Sequence, residues 1–261
     1  FHTDHGDALS TDARGAPDRA SRWDRLALSA LVVSTVCMVA LIMARTTIGI
    51  DFTDEGFHLN WIAHPWLYPA SVTQFGFIYH PLYLAVHGDI AAMRQVNLLV
   101  TLALGWGLFA ALFHAQLHRE SDDRWPTAAL GFVFSATTLT LLYQWLPTPN
   151  YRSLTLQSLL MVGIGALLIN APRPRTRVIA WVLLGFGGWL TFMAKPTSAV
   201  ALAIIVGITL VLLRHGPRRL LLLAAAVATA LLVISALVID GSVPAFIHRF
   251  VIGAEDLRRL Q

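Results

Sequence analysis

The chain has 261 residues, of which 56% are hydrophobic and only 13% are charged, and its mean hydropathy is +0.63. A soluble domain usually carries roughly 25% charged and about 45–50% apolar residues. This shortage of charge excludes a disordered chain and a nucleic-acid-binding protein, and it argues against an ordinary soluble enzyme. Long apolar runs instead predict an all-α polytopic membrane protein. The single cysteine, Cys37, excludes an internal disulfide and a zinc site built on cysteines.

The apolar runs divide the chain into three parts. Residues 1–21 are polar and aperiodic, and we expect a disordered cytoplasmic tail. Residues 22–240 form the predicted transmembrane domain, and 241–261 are expected to begin an outer-face segment of a longer protein, of which this chain is an N-terminal fragment. The domain has about seven transmembrane helices, near 26–44, 96–117, 126–145, 154–170, 178–194, 197–213 and 220–239.

The basic residues predict the orientation. Most of the 19 lysines and arginines lie in the tail and in the short loops 118–125, 171–177 and 214–219. Short cytoplasmic loops carry an excess of Lys and Arg. We therefore expect a bacterial inner (plasma) membrane protein with a cytoplasmic N-terminus. Pro196 predicts a helix break between the fifth and sixth spans.

This orientation places a long outer-face loop at 45–95, in which we expect short interfacial helices. None of the 15 acidic residues falls inside a predicted span, which argues against a proton-coupled transporter. Three acids, Asp51, Asp54 and Glu55, instead follow the first span in an aromatic-rich stretch. Such carboxylates suit a general base acting at the membrane surface. They equally suit the cap of an interfacial helix.

The loop contains four histidines that are candidate metal ligands: His58, His64, His80 and His87. Their spacings match no recognised ligand motif. We predict no metal site and no cofactor, although a divalent cation remains an alternative.

Four motifs, in this order along the chain, resemble the GT-C superfamily of membrane glycosyltransferases. Within that superfamily, the chain looks most like the protein O-mannosyltransferases and the aminoarabinose transferases. The resemblance covers roughly residues 25–240. The motifs are Asp54-Glu55-Gly56-Phe57-His58, Ala91-Ala92-Met93-Arg94-Gln95-Val96-Asn97, Pro147-Thr148-Pro149-Asn150-Tyr151 and the stretch from Gly188 to Thr197 that contains Lys195.

The resemblance implies an inverting hexosyl or pentosyl transferase. Such an enzyme moves a sugar from a polyprenyl-phosphate carrier to a protein, lipid or glycan acceptor on the outer face. Asp54 would be the catalytic base and Glu55 would position the acceptor or the base, while the reverse assignment stays open. Asp51 ranks third, and Arg94 and Lys195 would contact the leaving phosphate or act as interfacial anchors.

One stretch departs from the family pattern. Several relatives carry a further acid after the third span, whereas this chain has Asn150 and Tyr151, which can hydrogen-bond a sugar but cannot act as carboxylates. His58, within the first motif, is also assigned to substrate binding. Two other functions remain open: a transporter or flippase of lipid-linked substrates, and a non-catalytic membrane scaffold.

Overall fold

The computed structural model of the protein describes residues 16–49, 54–117, 125–140, 147–213 and 218–259. These residues are mostly helical, and no strand occurs among them. A 3₁₀ turn at Pro65–Leu67 follows the second helix. The helices are α1 (Ala16–Arg45), α2 (Asp54–Ala63), α3 (Phe75–Ala85), α4 (Ile90–Leu117), α5 (Trp125–Ser135), α6 (Tyr151–Leu168), α7 (Pro174–Ala194), α8 (Pro196–Leu213), α9 (Arg218–Asp240) and α10 (Val243–Arg259).

Among the residues that the structure describes, five stretches of helix are long and apolar enough to cross a membrane, which fits the predicted helical membrane protein. They coincide with five of the seven predicted spans. They are Arg22–Arg45, Ile90–Phe113, Tyr151–Leu168, Pro174–Ala194 and Leu220–Asp240.

The other two predicted spans remain predictions. In the region of the span 126–145, α5 ends at Ser135, a turn follows at Ala136, and residues 141–146 lie outside the described residues. In the region of the span 197–213, the apolar stretch Pro196–Thr209 is shorter than the others. Within the described part of the chain, five helices therefore reach membrane-spanning length, and α5 and the apolar stretch of α8 are shorter.

The ends of the helices partly follow the sequence prediction. The predicted break is confirmed, since α7 ends at Ala194 and α8 begins at Pro196. The disordered tail predicted for 1–21 stays a prediction, and α1 begins at Ala16, within that stretch. Proline is favoured in the first turn of a helix, which suits Pro17. Starting a helix is unfavourable but lengthening one is not, so the apolar part of α1 can be extended through residues 16–21.

Side chains close to the helix starts explain where two of the long helices begin. Asp89 Oδ1 accepts from the backbone N–H of Ala91 at 2.8 Å and of Ala92 at 3.2 Å, which caps α4. Asn150 caps α6 in a reciprocal box with Ser153. These caps satisfy backbone donors that would otherwise have no partner at the end of an apolar helix.

The long helices pack through small residues. α4 contacts α5 and α6, α6 contacts α7, and α7 contacts α9. An added Cβ at Gly165 would lie 2.8 Å from the carbonyl oxygen of Ala180, so α6 and α7 approach through a residue without a side chain. Such close approach through glycine is typical of helices packed in membranes.

The short helices α2 and α3 cover one end of this bundle, called the loop end below. Their apolar side chains join those of α4, α6 and α7 in one core cluster. Its buried members are Trp61, Ile62, Phe75, Tyr79, Met93, Leu154, Leu190 and Ala194. The backbone N–H of Gln74 also donates to Met193 O at 2.7 Å, which fixes the start of α3 to the end of α7.

Candidate active site

A buried ion pair stands at the start of α2. Glu55 is 1% exposed and Arg94, near the start of α4, is 4% exposed. Arg94 Nε donates to Glu55 Oε1 at 2.8 Å and Nη2 donates to Oε2 at 2.7 Å. This two-pronged geometry is the strongest that a guanidinium and a carboxylate form, and it fixes the orientation of both side chains.

Further groups from two chain segments complete this ion pair. Arg94 Nη1 donates to Thr46 O at 2.6 Å, and Nη2 donates to Gly49 O at 2.9 Å, so the residues after α1 are bound to α4. Thr148, which is fully buried, donates its hydroxyl to Glu55 Oε1. The network therefore joins α1, α2, α4 and the segment before α6 at one point.

Asp54 lies beside this pair but has a different environment. It is exposed, and it begins α2. Asp54, Phe57, His58 and Trp61 are spaced i, i+3, i+4 and i+7, which places them on one face of the helix. Phe57 is 48% exposed and its ring meets that of Trp61 edge-on at 5.3 Å between centroids. An accessible carboxylate thus adjoins a half-exposed aromatic ring.

His58 links this face of α2 to α3 and α6. Its ring lies 5.4 Å from that of Phe75 and 6.0 Å from that of Tyr151, between centroids. Burial lowers the pKa of His58, partly opposed by the negative charge of Asp54, while the positive charge of Arg152 lowers it further. Nδ1 of His58 is buried and has no hydrogen-bond partner within the described part of the chain. The environment therefore favours the neutral imidazole.

The third motif and the residue after it bring Asn150, Tyr151 and Arg152 to this site. Asn150 Oδ1 accepts from the backbone N–H groups of Arg152 at 2.8 Å and Ser153 at 3.0 Å, and Nδ2 donates to Thr148 O at 2.9 Å. Its amide is thus engaged within the chain, which is a structural role. Tyr151 is half-buried, and its hydroxyl accepts from Arg152 Nε at 3.0 Å. The signal for the cap was present in sequence, as a polar Asn-x-x-Ser ahead of an apolar run.

Two other cations, Lys195 and Arg249, belong to other elements of the fold. Lys195 is exposed at the junction of α7 and α8. Arg249 is buried and paired with Asp240, with Nε 2.9 Å from Oδ2, and its Nη1 donates to Tyr68 O at 2.6 Å. Arg249 therefore fastens α10 to the segment between α2 and α3. Asp51 lies outside the described residues.

Sequence reasoning missed a buried polar network between the helices. Gln157 Nε2 donates to Asn97 Oδ1 at 2.8 Å and to Thr101 Oγ1 at 3.0 Å, and Asn97 Nδ2 donates to Pro147 O at 2.8 Å. The Tyr79 hydroxyl donates to Gln157 Oε1 at 3.1 Å, and burial raises the pKa of Tyr79. Amides inside predicted spans were the available signal, because buried amides need partners. These hydrogen bonds join α3 to α4 and α6 and make this part of the bundle rigid.

The histidines of this region are not gathered around a common point. Among the described residues, no three His, Cys, Asp or Glu side chains form a group that could hold a metal ion. His80 Nδ1 instead donates to Ile62 O at 2.8 Å, which ties α3 to the end of α2.

The four motifs of the sequence meet at the loop end. Glu55, Arg94 and Thr148, from the first three, form the ion-pair network, and Met193 of the fourth accepts from Gln74. No protein-family model, curated protein or solved structure matches this chain.

Proposed function

We propose that the chain is an inverting glycosyltransferase of the GT-C type, with Asp54 as the general base. It moves a hexosyl or pentosyl group from a polyprenyl-phosphate carrier to a protein, lipid or glycan acceptor. One observation carries the proposal: of the adjacent acids, Glu55 is buried against Arg94 whereas Asp54 is exposed beside aromatic rings. Of the two adjacent acids, Asp54 is therefore the accessible carboxylate, and the Glu55–Arg94 ion pair fixes the start of the helix that carries it.

In this reaction the acceptor hydroxyl or amine attacks the anomeric carbon of the sugar. A new bond forms from the acceptor atom to that carbon, and the bond from carbon to the phosphate oxygen breaks. Asp54 takes the proton of the acceptor, and the bonding electrons leave with the phosphate. Glu55 and Arg94 are positioning residues, since both of their charged groups are engaged with each other.

The side chains around Asp54 suit a sugar and its leaving group. Phe57 and Tyr151 present partly exposed aromatic rings, and aromatic surfaces suit the apolar faces of sugars. Arg152 brings a guanidinium to the same side, where it lowers the pKa of His58, and fixed positive charge stabilises a leaving phosphate. Lys195 is a further phosphate contact in this proposal, on the strength of its exposed position after α7.

The five helices of membrane-spanning length suit a lipid-linked donor, because the polyprenyl chain stays in the bilayer. We further propose seven spans in a bacterial inner membrane, with a cytoplasmic N-terminus and with the loop end on the outer face. The excess of basic residues in the tail and three short loops supports that orientation.

The test uses the full chain in liposomes, supplied with a labelled polyprenyl-phosphate sugar and candidate acceptors. Covalently glycosylated acceptor, with the anomeric configuration inverted, is the expected result. Movement of the labelled lipid across the bilayer without any covalent product would instead identify a transporter and would overturn the proposal.

A further inference from the structure

A groove of about 150 Å³ opens between the ends of α1 and α4, lined by Ile42, Arg45, Thr46, Leu98 and Pro147. Three of these side chains are apolar. A cavity of roughly this size with apolar walls holds a benzene-sized group. The groove therefore has room for a short piece of a hydrocarbon chain.

The groove lies at the end of a candidate membrane span. Ile42 and Leu98 belong to the candidate spans Arg22–Arg45 and Ile90–Phe113, and Arg45 is the last residue of the first of these. Arg45 is exposed, and its guanidinium has no carboxylate partner among the described residues. A cation at the end of a span, above an apolar groove, is complementary to an anionic head group above a hydrocarbon chain.

We propose that this groove binds an anionic phospholipid of the surrounding bilayer, with its phosphate at Arg45 and its acyl chain between Ile42 and Leu98. This inference does not depend on the proposed glycosyltransferase function. Asp54 is not among the residues that line the groove. Thr46 lines the groove and its carbonyl oxygen accepts from Arg94, which binds Glu55, so the groove borders the buried ion pair.

The bound lipid would pack against the residues that separate the groove from the ion pair. Pro147 lines the groove next to Thr148, which donates to Glu55. A lipid in the groove would hold Thr46 and Pro147 against the pair and keep water from them. It thus acts as a structural component of the loop end.

The test is native mass spectrometry of the purified full chain in mild detergent, titrated with phosphatidylglycerol or phosphatidylcholine. We expect one phosphatidylglycerol to bind more tightly than phosphatidylcholine. Arg45→Gln should weaken that binding about fivefold, and Ile42→Trp, which fills the groove, should weaken it similarly. The matched controls are Arg258→Gln, on an exposed arginine of α10, and Leu41→Trp, on a neighbour that is 66% exposed.

Three results would overturn the proposal. The first is unchanged binding by Arg45→Gln, an exposed position whose change does not threaten the fold. The second is loss of binding by Leu41→Trp equal to that by Ile42→Trp. The third is displacement of phosphatidylglycerol by an equimolar polyprenyl phosphate, since the groove would then belong to the donor lipid.

Discussion

Asp54 and Glu55 are consecutive in the chain, but only Glu55 is held by Arg94, 39 positions away. With 3.6 residues per turn, successive residues of an α-helix point about 100° apart. The first turn of α2 can therefore direct one carboxylate into the bundle and leave the other exposed. The buried acid fixes the helix, and the exposed acid is available for chemistry.

The effects of substituting Glu55 and Arg94 on the free energy of unfolding should be strongly coupled. Glu55→Gln leaves the guanidinium of Arg94 buried without its counter-charge, and we expect a loss of about 3–5 kcal/mol in the free energy of unfolding. Arg94→Met should cost a similar amount, while the double variant should cost clearly less than the sum. Chemical denaturation in detergent, followed by tryptophan fluorescence, measures this cycle. Additive losses would show that the pair does not act as a unit.

Thr148→Val should destabilise the loop end. The change keeps the shape of a fully buried side chain but removes the hydroxyl that donates to Glu55. We expect a loss of roughly 1–3 kcal/mol, because a buried carboxylate oxygen loses a donor. Thr47→Val is the matched control, since Thr47 is exposed and its hydroxyl donates to Ala44 O at the end of its own helix. Equal melting temperatures for the two variants would contradict the assignment.

Two glycines of α7 should respond differently to alanine. A Cβ at Gly185 would collide with the carbonyl oxygen of Ala224 and lie 3.0 Å from Cβ of Val227, whereas a Cβ at Gly188 would meet nothing within 4 Å. Gly185→Ala should therefore push α9 away and lower the thermal stability. Gly188→Ala should be neutral or stabilising by about 0.4–1 kcal/mol. A stabilising Gly185→Ala would contradict the close approach of α7 and α9.

The pH dependence of stability should include a contribution from His58. Burial lowers its pKa below the ordinary value of 6.5, so the unfolded chain binds a proton more readily than the folded one. This contribution is complete above pH 6.5 and is lost as the pH falls from 6.5 through the folded-state pKa. Unfolding free energies measured across that window should fall less steeply for His58→Gln than for the parent. Removal of the exposed His64 serves as the control, and identical slopes for all three proteins would refute the prediction.

The sequence predicted the helical class and the five best spans because hydropathy is a local property. It also located the break at Lys195-Pro196, since proline ends a helix by its own chemistry. The predictions were weaker where a polar stretch adjoins an apolar helix. Residues 16–21 are polar, but they continue a helix whose stability comes from the apolar residues after Arg22.

The partition of roles within the candidate site could not be predicted from local sequence. The partner of Glu55 is Arg94, and Thr148 lies 93 positions from Glu55, so only the folded chain shows which acid is buried. The sequence predicted Arg94 as a phosphate contact, and in the fold its guanidinium is engaged within the chain. Asn150 was assigned to the sugar although it caps α6.

The most direct test of the central claim compares sugar transfer by three purified variants, each normalised to folded protein. Loss of a general base costs roughly 100- to 10,000-fold in rate. We expect Asp54→Asn to lose that much with its unfolding temperature unchanged. Glu255→Gln, on an exposed acid of α10, should transfer like the parent, and Glu55→Gln should lose stability together with activity. Full transfer by a stably folded Asp54→Asn would contradict the account.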